Sequence, residues 1–457
     1  MPTAAGKVSA PIRSIRAVLL PQVRADTDAC PGALRLHAAA DGPLARVRVP
    51  GGRMTGAQLT AVHQLAARWG DGCVELTSRA NLQLRALKDA PPADLAAELR
   101  AAGLLPSETH EMVRNTVASP LAGGLPIEAL DRALCADPAL AELPGRFLFA
   151  LDGGAGDVAF GADVAALPLD GAVAIIFAGV DAGLRVPAAE VVPALLAAAH
   201  AFLDERTAQQ AAPDSRPGDV ASPRVAERAG SPDAHASRSE SPDDPATVRD
   251  GGRERVAWRV RELNDGPARV AARTAAALGR TPGEPVRLSR PGVREPIGII
   301  EQPDGTVAVG ALVPLGRLSD APLKALERAA SLIFTPWRGV VLPGLTPQAA
   351  EAWLAVLAGA GLEVAAGSRW TGVTACAGRP GCAKALADVR ADADAATVAG
   401  EGLPVHWIGC ARGCGSPAGP HVRVEATGTG YEVRSPHARG VTSVGEVGAL
   451  VGAARKG

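Results

Sequence analysis

The apolar residues of the first hundred positions follow two different spacings. Over residues 55–69 they recur every three or four positions, which predicts an amphipathic helix with one buried face. Short strands are predicted over residues 45–49, 73–77 and 81–85, the last because apolar and polar residues alternate there. A second helix is predicted over residues 93–102. The order strand, helix, strand, strand, helix predicts an α+β unit.

The same order of residues returns in the second half of the chain. Segment 49–59, V-P-G-G-R-M-T-G-A-Q-L, matches segment 313–323, V-P-L-G-R-L-S-D-A-P-L, in the spacing of Val-Pro, Gly-Arg, Ala and Leu. Two further matches follow in the same order: 76–79 with 334–337, and 116–120 with 372–376. An internal repeat of this kind predicts two related halves, each a ferredoxin-like α+β sandwich, around a pseudo-twofold axis.

A change of composition separates the two halves. From about residue 210 to residue 252 the chain contains Pro, Ser, Asp, Arg, Gly and Ala, without aromatic residues, leucine or isoleucine. Such a segment cannot bury a hydrophobic core. We therefore predict a disordered linker over residues 209–254.

Composition limits the classes of function. With 457 residues, 47% of them hydrophobic, the chain is long enough for two or three domains. The net charge of −1 argues against a general nucleic-acid binder. The longest apolar segment, residues 191–202, is too short to span a bilayer, and the first residues lack the apolar core of a signal peptide. The sequence thus predicts a soluble, cytoplasmic protein without membrane or nucleic-acid partners.

Four cysteines near the C-terminus carry the strongest chemical signal. Cys376 and Cys382 form a C-x5-C pair, and Cys410 and Cys414 form a C-x3-C pair. Four thiolates on two loops are the ligand set of a [4Fe–4S] cluster. Structural zinc, which favours tighter pairs, and disulfides or buried thiols are the alternatives. A helix predicted over residues 383–396 would place Cys382 at a helix N-terminus, where the dipole favours a thiolate.

These features together resemble a known superfamily. The cysteine pattern, the duplicated unit and T-S-R-A-N-L-Q-L at residues 77–84 are similar to the assimilatory nitrite and sulfite reductases, over nearly the whole chain except the linker. The resemblance implies a duplicated α+β fold, a [4Fe–4S] cluster and usually a sirohaem. Within the superfamily, C-P-G-A-L-R at residues 30–35 and D-G-P-L-A-R-V-R-V-P-G-G-R at residues 41–53 more closely resemble the precorrin-3B synthase family.

The resemblance implies a division of the chain into five parts. They are a first ferredoxin-like half-domain (20–105), a first nitrite/sulfite reductase-like domain (106–208), the linker (209–254), a second ferredoxin-like half-domain (255–365) and a [4Fe–4S]-binding domain (366–457).

Site residues follow from the resemblance position by position. The four cysteines match the cluster ligands, and in the reductases the last of them, here Cys414, also bridges the cluster to the sirohaem iron. Arg46 and Arg79 match two arginines that the reductases direct at their oxyanion substrate. Arg146 and Leu148 stand where the reductases place lysines, which weakens the expectation of oxyanion reduction.

Arginines suit a larger substrate that carries carboxylates. The planar guanidinium pairs with a carboxylate through two hydrogen bonds, and precorrins carry acetate and propionate groups. We therefore predict that the substrate-binding residues are Arg46, Arg48, Arg79 and Arg146. Arg53 and Arg85 are further candidates.

Three functions remain open at this point. The resemblance to precorrin-3B synthases implies hydroxylation of precorrin-3A at C20 by dioxygen, with formation of a γ-lactone, in aerobic cobalamin biosynthesis. The alternatives are a sirohaem-dependent nitrite or sulfite reductase and a non-catalytic tetrapyrrole-binding or redox-sensing protein. Because no complete G-x-G-x-x-G motif is present, electrons are expected from a ferredoxin or an NADH-dependent reductase.

A second iron centre is also implied. It would be mononuclear non-haem iron, or sirohaem bridged through Cys414. The possible protein ligands are Cys30, His37, His63, His110, His406 and His421, none of which pairs at a characteristic metal spacing. Cys73 and Cys135 are expected to be small core residues.

Overall fold

The computed structural model describes residues 30–211, 256–289, 295–417 and 419–456. Most of the linker predicted over residues 209–254 therefore lies outside the described residues. Residues 209–211, the first three positions of the predicted linker, form the end of a long helix that begins at Val191. Within the described part of the chain, no helix combines the length and the apolar character that a membrane crossing requires.

The strands, in chain order, are β1 (Ala45–Val47), β2 (Arg53–Met54), β3 (Val74–Leu76), β4 (Leu82–Leu84), β5 (Thr116–Ala118), β6 (Phe149–Leu151), β7 (Val164–Leu169), β8 (Ala172–Phe177), β9 (Val180–Val186), β10 (Gly298–Glu301), β11 (Val307–Leu312), β12 (Arg317–Leu318), β13 (Leu332–Phe334), β14 (Gly339–Leu345), β15 (Val373–Ala375), β16 (Val405–Ile408), β17 (Val422–Ala426), β18 (Tyr431–Arg434) and β19 (Arg439–Thr442).

The α-helices are α1 (Gly56–Trp69), α2 (Pro92–Ala101), α3 (Ile127–Ala136), α4 (Val191–Ala211), α5 (Gly266–Ala277), α6 (Asp320–Leu326), α7 (Pro347–Gly359), α8 (Val389–Ala396) and α9 (Val447–Lys456).

Helix α1 confirms the helix that the apolar spacing predicts. Its N-terminus is a capping box, because the Thr55 hydroxyl accepts from the N–H of Gln58 (3.2 Å) and the Gln58 side chain accepts from the N–H of Thr55 (3.0 Å). Leu59 and Val62, on its apolar face, are fully buried. Local sequence therefore fixes both the start of this helix and the face that it buries.

The helix predicted over residues 383–396 is wrong at its start. Helix α8 begins only at Val389, where the Asp388 side chain accepts from the N–H of Ala391 (3.2 Å). Before it, the N–H of Leu386 donates to the carbonyl of Gly409 instead of to a helical partner. Cys382 thus lies in a loop, and the helix dipole does not act on its thiol.

The two ferredoxin-like units exchange strands. One sheet has the order β1-β4-β3-β12 and the other the order β10-β11-β14-β13-β2, so each contains one short strand from the other half of the chain. Their buried residues form a single hydrophobic core that draws on residues 33–105 and 307–362. The half-domains that the sequence separates therefore fold as one body.

Two further sheets repeat one topology. The orders β5-β6-β7-β8-β9 and β15-β16-β17-β18-β19 both begin with two parallel pairings and end with two antiparallel ones. Helices α4 and α5 pack together against the first of these sheets. Helix α5 falls within the second half-domain predicted over residues 255–365, but its apolar residues complete the core of the first of these sheets.

The hydrogen bonds confirm the internal repeat at the level of single residues. In the turn between β3 and β4, the N–H of Thr77 donates to Asn81 and the N–H of Ala80 donates to Thr77. The turn between β13 and β14 has the same bonds, from Thr335 to Gly339 and from Arg338 to Thr335. Residue 80 therefore corresponds to residue 338.

We predict that Gly52→Ala destabilises the protein strongly. Gly52 has a left-handed φ of 70°, and an added Cβ would overlap with the Phe334 carbonyl oxygen across the contact between the halves. Gly72 also has a left-handed φ (72°) but has open space around it. Urea unfolding should show a loss of roughly 2–4 kcal/mol for Gly52→Ala and roughly 1 kcal/mol for Gly72→Ala. Equal losses would contradict the proposed contact.

Candidate functional site

The first cysteine of each pair follows one of two neighbouring parallel strands. Cys376 follows β15 and Cys410 comes shortly after β16, its neighbour in the sheet. The N–H of Cys376 donates to the Trp407 carbonyl (2.9 Å), and the N–H of Gly409 donates to Cys376 Sγ (3.2 Å). A backbone N–H directed at sulfur stabilises a thiolate.

The four predicted ligands lie near one another. Burial raises the pKa of the Cys414 thiol, Arg412 opposes this shift, and Cys376, Cys410 and Cys382 each add to it. Four neighbouring sulfur donors fit a [4Fe–4S] cluster, which takes one thiolate for each iron. A single metal ion is a different case. Among the described residues, the four cysteines included, no group of three or more His, Cys, Asp or Glu side chains is arranged to hold one.

Gly153 and Ser119 form the counterpart of this sulfur contact in the first half. The N–H of Ser119 donates to the Leu151 carbonyl (3.0 Å), and the N–H of Gly153 donates to Ser119 Oγ (2.8 Å). A hydroxyl thus occupies the position that the Cys376 sulfur has in the second half. The structure therefore pairs Ser119 with Cys376, one residue away from the Pro120 that the sequence match places there.

His406 positions the loop of the last cysteine. Burial lowers the pKa of His406 to about 4, so its imidazole is neutral at neutral pH. Its Nε2 lies 3.0 Å from the Cys414 carbonyl, to which it donates, and its Nδ1 accepts from the Thr374 hydroxyl (2.7 Å). Both ring nitrogens are therefore engaged in structural hydrogen bonds.

The other candidate iron ligands have different surroundings. His63 pairs with Glu327 (2.6 Å), and His110 contacts the carbonyl of Asp137 (2.9 Å). His421 contacts a carbonyl in its own loop, and His37 is exposed. The structure does not bring these histidines together.

The four predicted substrate arginines do come together. Burial, together with the charges of Arg46 and Arg79, lowers the pKa of Arg48 to about 9. Burial likewise lowers the pKa of Arg79 to about 10, with Arg46 among the neighbours that contribute. For Arg46, burial is again the main cause of a lowered pKa, and Arg146 adds to it. We call these four residues the arginine group.

Several donors of the arginine group have no partner. Arg46 donates from Nη2 to Gln83 (3.1 Å), and Arg48 donates to the carbonyls of Met112 and Pro31. In contrast, Arg46 Nε and Arg48 Nη1 are buried without a hydrogen-bond acceptor. Buried donors of this kind are costly unless a ligand satisfies them.

Arg79 fixes the loop that carries Arg146. It donates to the carbonyls of Gly145 (3.2 Å) and Arg146 (3.0 Å). The Arg146 side chain is exposed and lies over the ring of Trp258, 5.5 Å from its centroid. Leu148, two residues further on, is buried.

Cys30 lies at the start of a loop beside the arginine group. It is among the neighbours that influence the pKa values of Arg46, Arg48 and Arg79. The carboxylate of Glu111 holds this loop by accepting from the N–H groups of Ala33 (2.7 Å) and Leu34 (2.9 Å). The C-P-G-A-L-R motif thus lines the candidate site.

Arg53 and Arg85 have structural partners. Arg53 donates to the Ala122 carbonyl (2.9 Å), although its Nε lacks an acceptor. Arg85 pairs with both oxygens of Asp41 (2.9 Å each) and donates to the Gly381 carbonyl (2.6 Å). Arg85 therefore connects the first sheet to the loop between Cys376 and Cys382.

A row of polar side chains extends from the arginine group across the first sheet. Arg46, Gln83, Glu75 and Arg317 are successive cross-strand neighbours. The Gln83 side chain donates a hydrogen bond to Glu75 (2.9 Å). The Glu75 carboxylate also accepts one from Arg390 of α8 (2.5 Å). We call these four sheet residues the polar row.

A cleft of about 480 Å³ lies between one end of the polar row and the cysteine-bearing half. Its walls include Glu75 and Arg317 on one side, and residues 379–381 with Arg390 on the other. Its volume is within the range of small-molecule sites. Sequence reasoning missed Glu75, Gln83 and Arg390; only the polar alternation around Gln83 gave a signal.

Comparisons with known proteins agree with this architecture. The family model of the nitrite/sulfite reductase ferredoxin-like half domain matches residues 37–102 and 300–360. The chain carries two such half domains. The structure of the Mycobacterium tuberculosis NirA protein superposes with a TM-score of 0.63 and 18% identity, over 89% of this chain and 79% of that one. At this identity the likeness concerns the fold, which is the duplicated nitrite/sulfite reductase-like fold.

Two curated relatives are similar over part of their length. A ferredoxin–nitrite reductase of Synechococcus elongatus is 33% identical over 126 residues, 24% of this chain and 25% of the relative. The enzyme of the same name from Leptolyngbya laminosa is 31% identical over 123 residues, 24% of each chain. The chain thus matches about a quarter of the length of these relatives.

We predict that Cys414→Ser removes or destabilises the cluster. A serine hydroxyl is a poor ligand for iron that prefers thiolates. Iron and sulfide analysis after anaerobic reconstitution should give about four of each per chain for the unaltered protein and far fewer for the variant. Cys73→Ser, which alters a half-buried thiol outside this group, is the control and should retain its iron. Full iron content in Cys414→Ser would show that the ligand assignment is wrong.

Proposed function

We propose that the chain is an oxidoreductase in which a [4Fe–4S] cluster works with a tetrapyrrole. The observation that carries the proposal is a pair of buried donors in the arginine group, Arg46 Nε and Arg48 Nη1, that have no acceptor. Both lie on or beside β1, in the sheet that contacts the cysteine-bearing half. Carboxylates of a tetrapyrrole would satisfy the donors and compensate the charge.

The residues have separate tasks in this proposal. Cys376, Cys382, Cys410 and Cys414 would hold the cluster, which supplies single electrons when bound. The arginine group would bind and orient the tetrapyrrole. The cluster would be reloaded by a protein donor, and the names of the two curated relatives point to a ferredoxin.

Reduction of nitrite or sulfite with a bound sirohaem is the reaction that the comparisons favour. It rests on the half-domain match, the NirA-like fold and the names of the curated relatives. In that case the tetrapyrrole is a cofactor, and Cys414 would be the residue that connects it to the cluster.

The side chains of the site favour a different reaction. At the position where the resemblance to reductases implies a lysine, Leu148 is buried and cannot donate a proton. The described lysines, at residues 88, 324, 384 and 456, are all exposed. The C-P-G-A-L-R loop, which resembles precorrin-3B synthases, lies beside the arginine group. The site therefore agrees best with a tetrapyrrole substrate: dioxygen-dependent hydroxylation of precorrin-3A at C20, with γ-lactone formation.

One assay distinguishes the two reactions. Protein purified without oxygen and loaded with its cluster is supplied with a dye donor and nitrite or sulfite in one arm. In the other arm it receives precorrin-3A, dioxygen and a reduced ferredoxin. We expect a product with the mass gain of one oxygen and a lactone in the second arm. Reduction of nitrite or sulfite by protein with a sirohaem absorption band would instead establish the reductase, and neither activity would favour a non-catalytic sensor.

We predict that Arg46→Ala weakens the binding of a carboxylated tetrapyrrole by about 1–3 kcal/mol, the scale of a lost charge-assisted hydrogen bond. Quenching of uroporphyrin fluorescence measures the affinity. Arg46→Lys keeps the charge without the guanidinium fork and should lose less. Arg68→Ala removes an arginine that stacks on Trp69 outside the arginine group, and it should bind normally. Unchanged affinity in Arg46→Ala would remove Arg46 from the site.

A further inference from the structure

Arg338 occupies an unusual backbone position. It lies in the turn between β13 and β14 with a left-handed φ of 63°. The corresponding residue of the first half, Ala80, is also left-handed (φ 56°) but has almost no side chain. A long side chain in this conformation costs free energy, and such strain is retained mainly where a residue has a function.

The surrounding glycines leave room for the Arg338 side chain. A Cβ on Gly316 would lie 2.5 Å from Arg338 Cδ, so only glycine at this position lets the side chain pass. At the far end, Arg338 Nη2 lies 3.5 Å from the place of a Cβ on Gly415, the residue after Cys414. The guanidinium therefore ends against the loop of the fourth cluster cysteine.

The guanidinium has no acceptor there. Among the described residues, no carboxylate or carbonyl accepts a hydrogen bond from it. Burial lowers the pKa of Arg338, Arg390 lowers it further, and Glu75 acts in the opposite direction. The Glu75 carboxylate already accepts hydrogen bonds from Arg390 and Gln83, so Arg338 is not its main partner. A positive group is thus held between the polar row and the cysteine loop without a partner of its own.

We infer that Arg338 is a second carboxylate anchor for the tetrapyrrole, at the end of the site next to Cys414. This inference rests on the proposed function. The arginine group would hold carboxylates at one end of the polar row, and Arg338 would hold one at the cysteine-bearing end. Two anchors from different halves of the chain would fix the orientation of the ring relative to the cluster.

The test compares Arg338→Gln and Arg338→Lys with the unaltered, cluster-loaded protein. Both substitutions keep a long side chain at the left-handed position, so the backbone strain stays similar. The probe is uroporphyrin, with a cationic porphyrin that carries no carboxylates as the contrast. We expect the Kd for uroporphyrin to rise about ten- to a hundredfold in Arg338→Gln, and less in Arg338→Lys, with no change for the cationic porphyrin.

Two controls separate anchoring from other roles. Arg328→Gln alters an exposed arginine of the same half domain and should bind like the unaltered protein. Iron content should be unchanged in Arg338→Gln. Unchanged uroporphyrin affinity, with or without a shifted potential, would overturn the inference. Failure of the unaltered protein to bind uroporphyrin would overturn the proposed function itself. Should Arg338→Gln not fold, the Arg338→Lys comparison alone decides.

Discussion

The exchange of β2 and β12 between the half domains is the constraint on which the rest of the structure depends. β2 completes the second sheet through β13, and β12 completes the first sheet through β3. Because each sheet requires a strand from the other half, both halves must fold together around one core. The exchange also adds Arg317 to the polar row, so the candidate site itself contains residues from both halves.

The buried positive charge of the arginine group is the second constraint on the site. Burial lowers the pKa of Arg48 and of Arg79, and the charge of Arg46 adds to both shifts, so like charges are held close together in a buried place. A protein retains such an arrangement at a cost unless an anion compensates it. Arg85 and Arg390 differ, since Arg85 pairs with Asp41 and Arg390 pairs with Glu75 of the first sheet. Their role is to hold the cysteine-bearing half against this sheet, which brings the unpaired arginines and the cysteines to one region.

Local sequence predicted what local interactions determine. The spacing of apolar residues gave helix α1, and the repeat gave the duplicated fold. Contacts between distant segments were not predictable in this way. The strand exchange, the packing of α5 on the first half and the late start of α8 at Val389 each depend on partners far away in sequence. The same is true of Arg338, whose importance appears only when Gly316 and Gly415 are seen beside it.

In the proposed function, a carboxylated tetrapyrrole binds between the arginines and the cluster. Electron paramagnetic resonance of the reduced cluster, recorded with and without bound vanadyl uroporphyrin, tests it most directly, because two nearby unpaired spins broaden or split each other's signals. We expect a broadened or split cluster signal in the unaltered protein. In Arg46→Ala, the broadening or splitting should disappear. A porphyrin that binds without altering the cluster signal would contradict it.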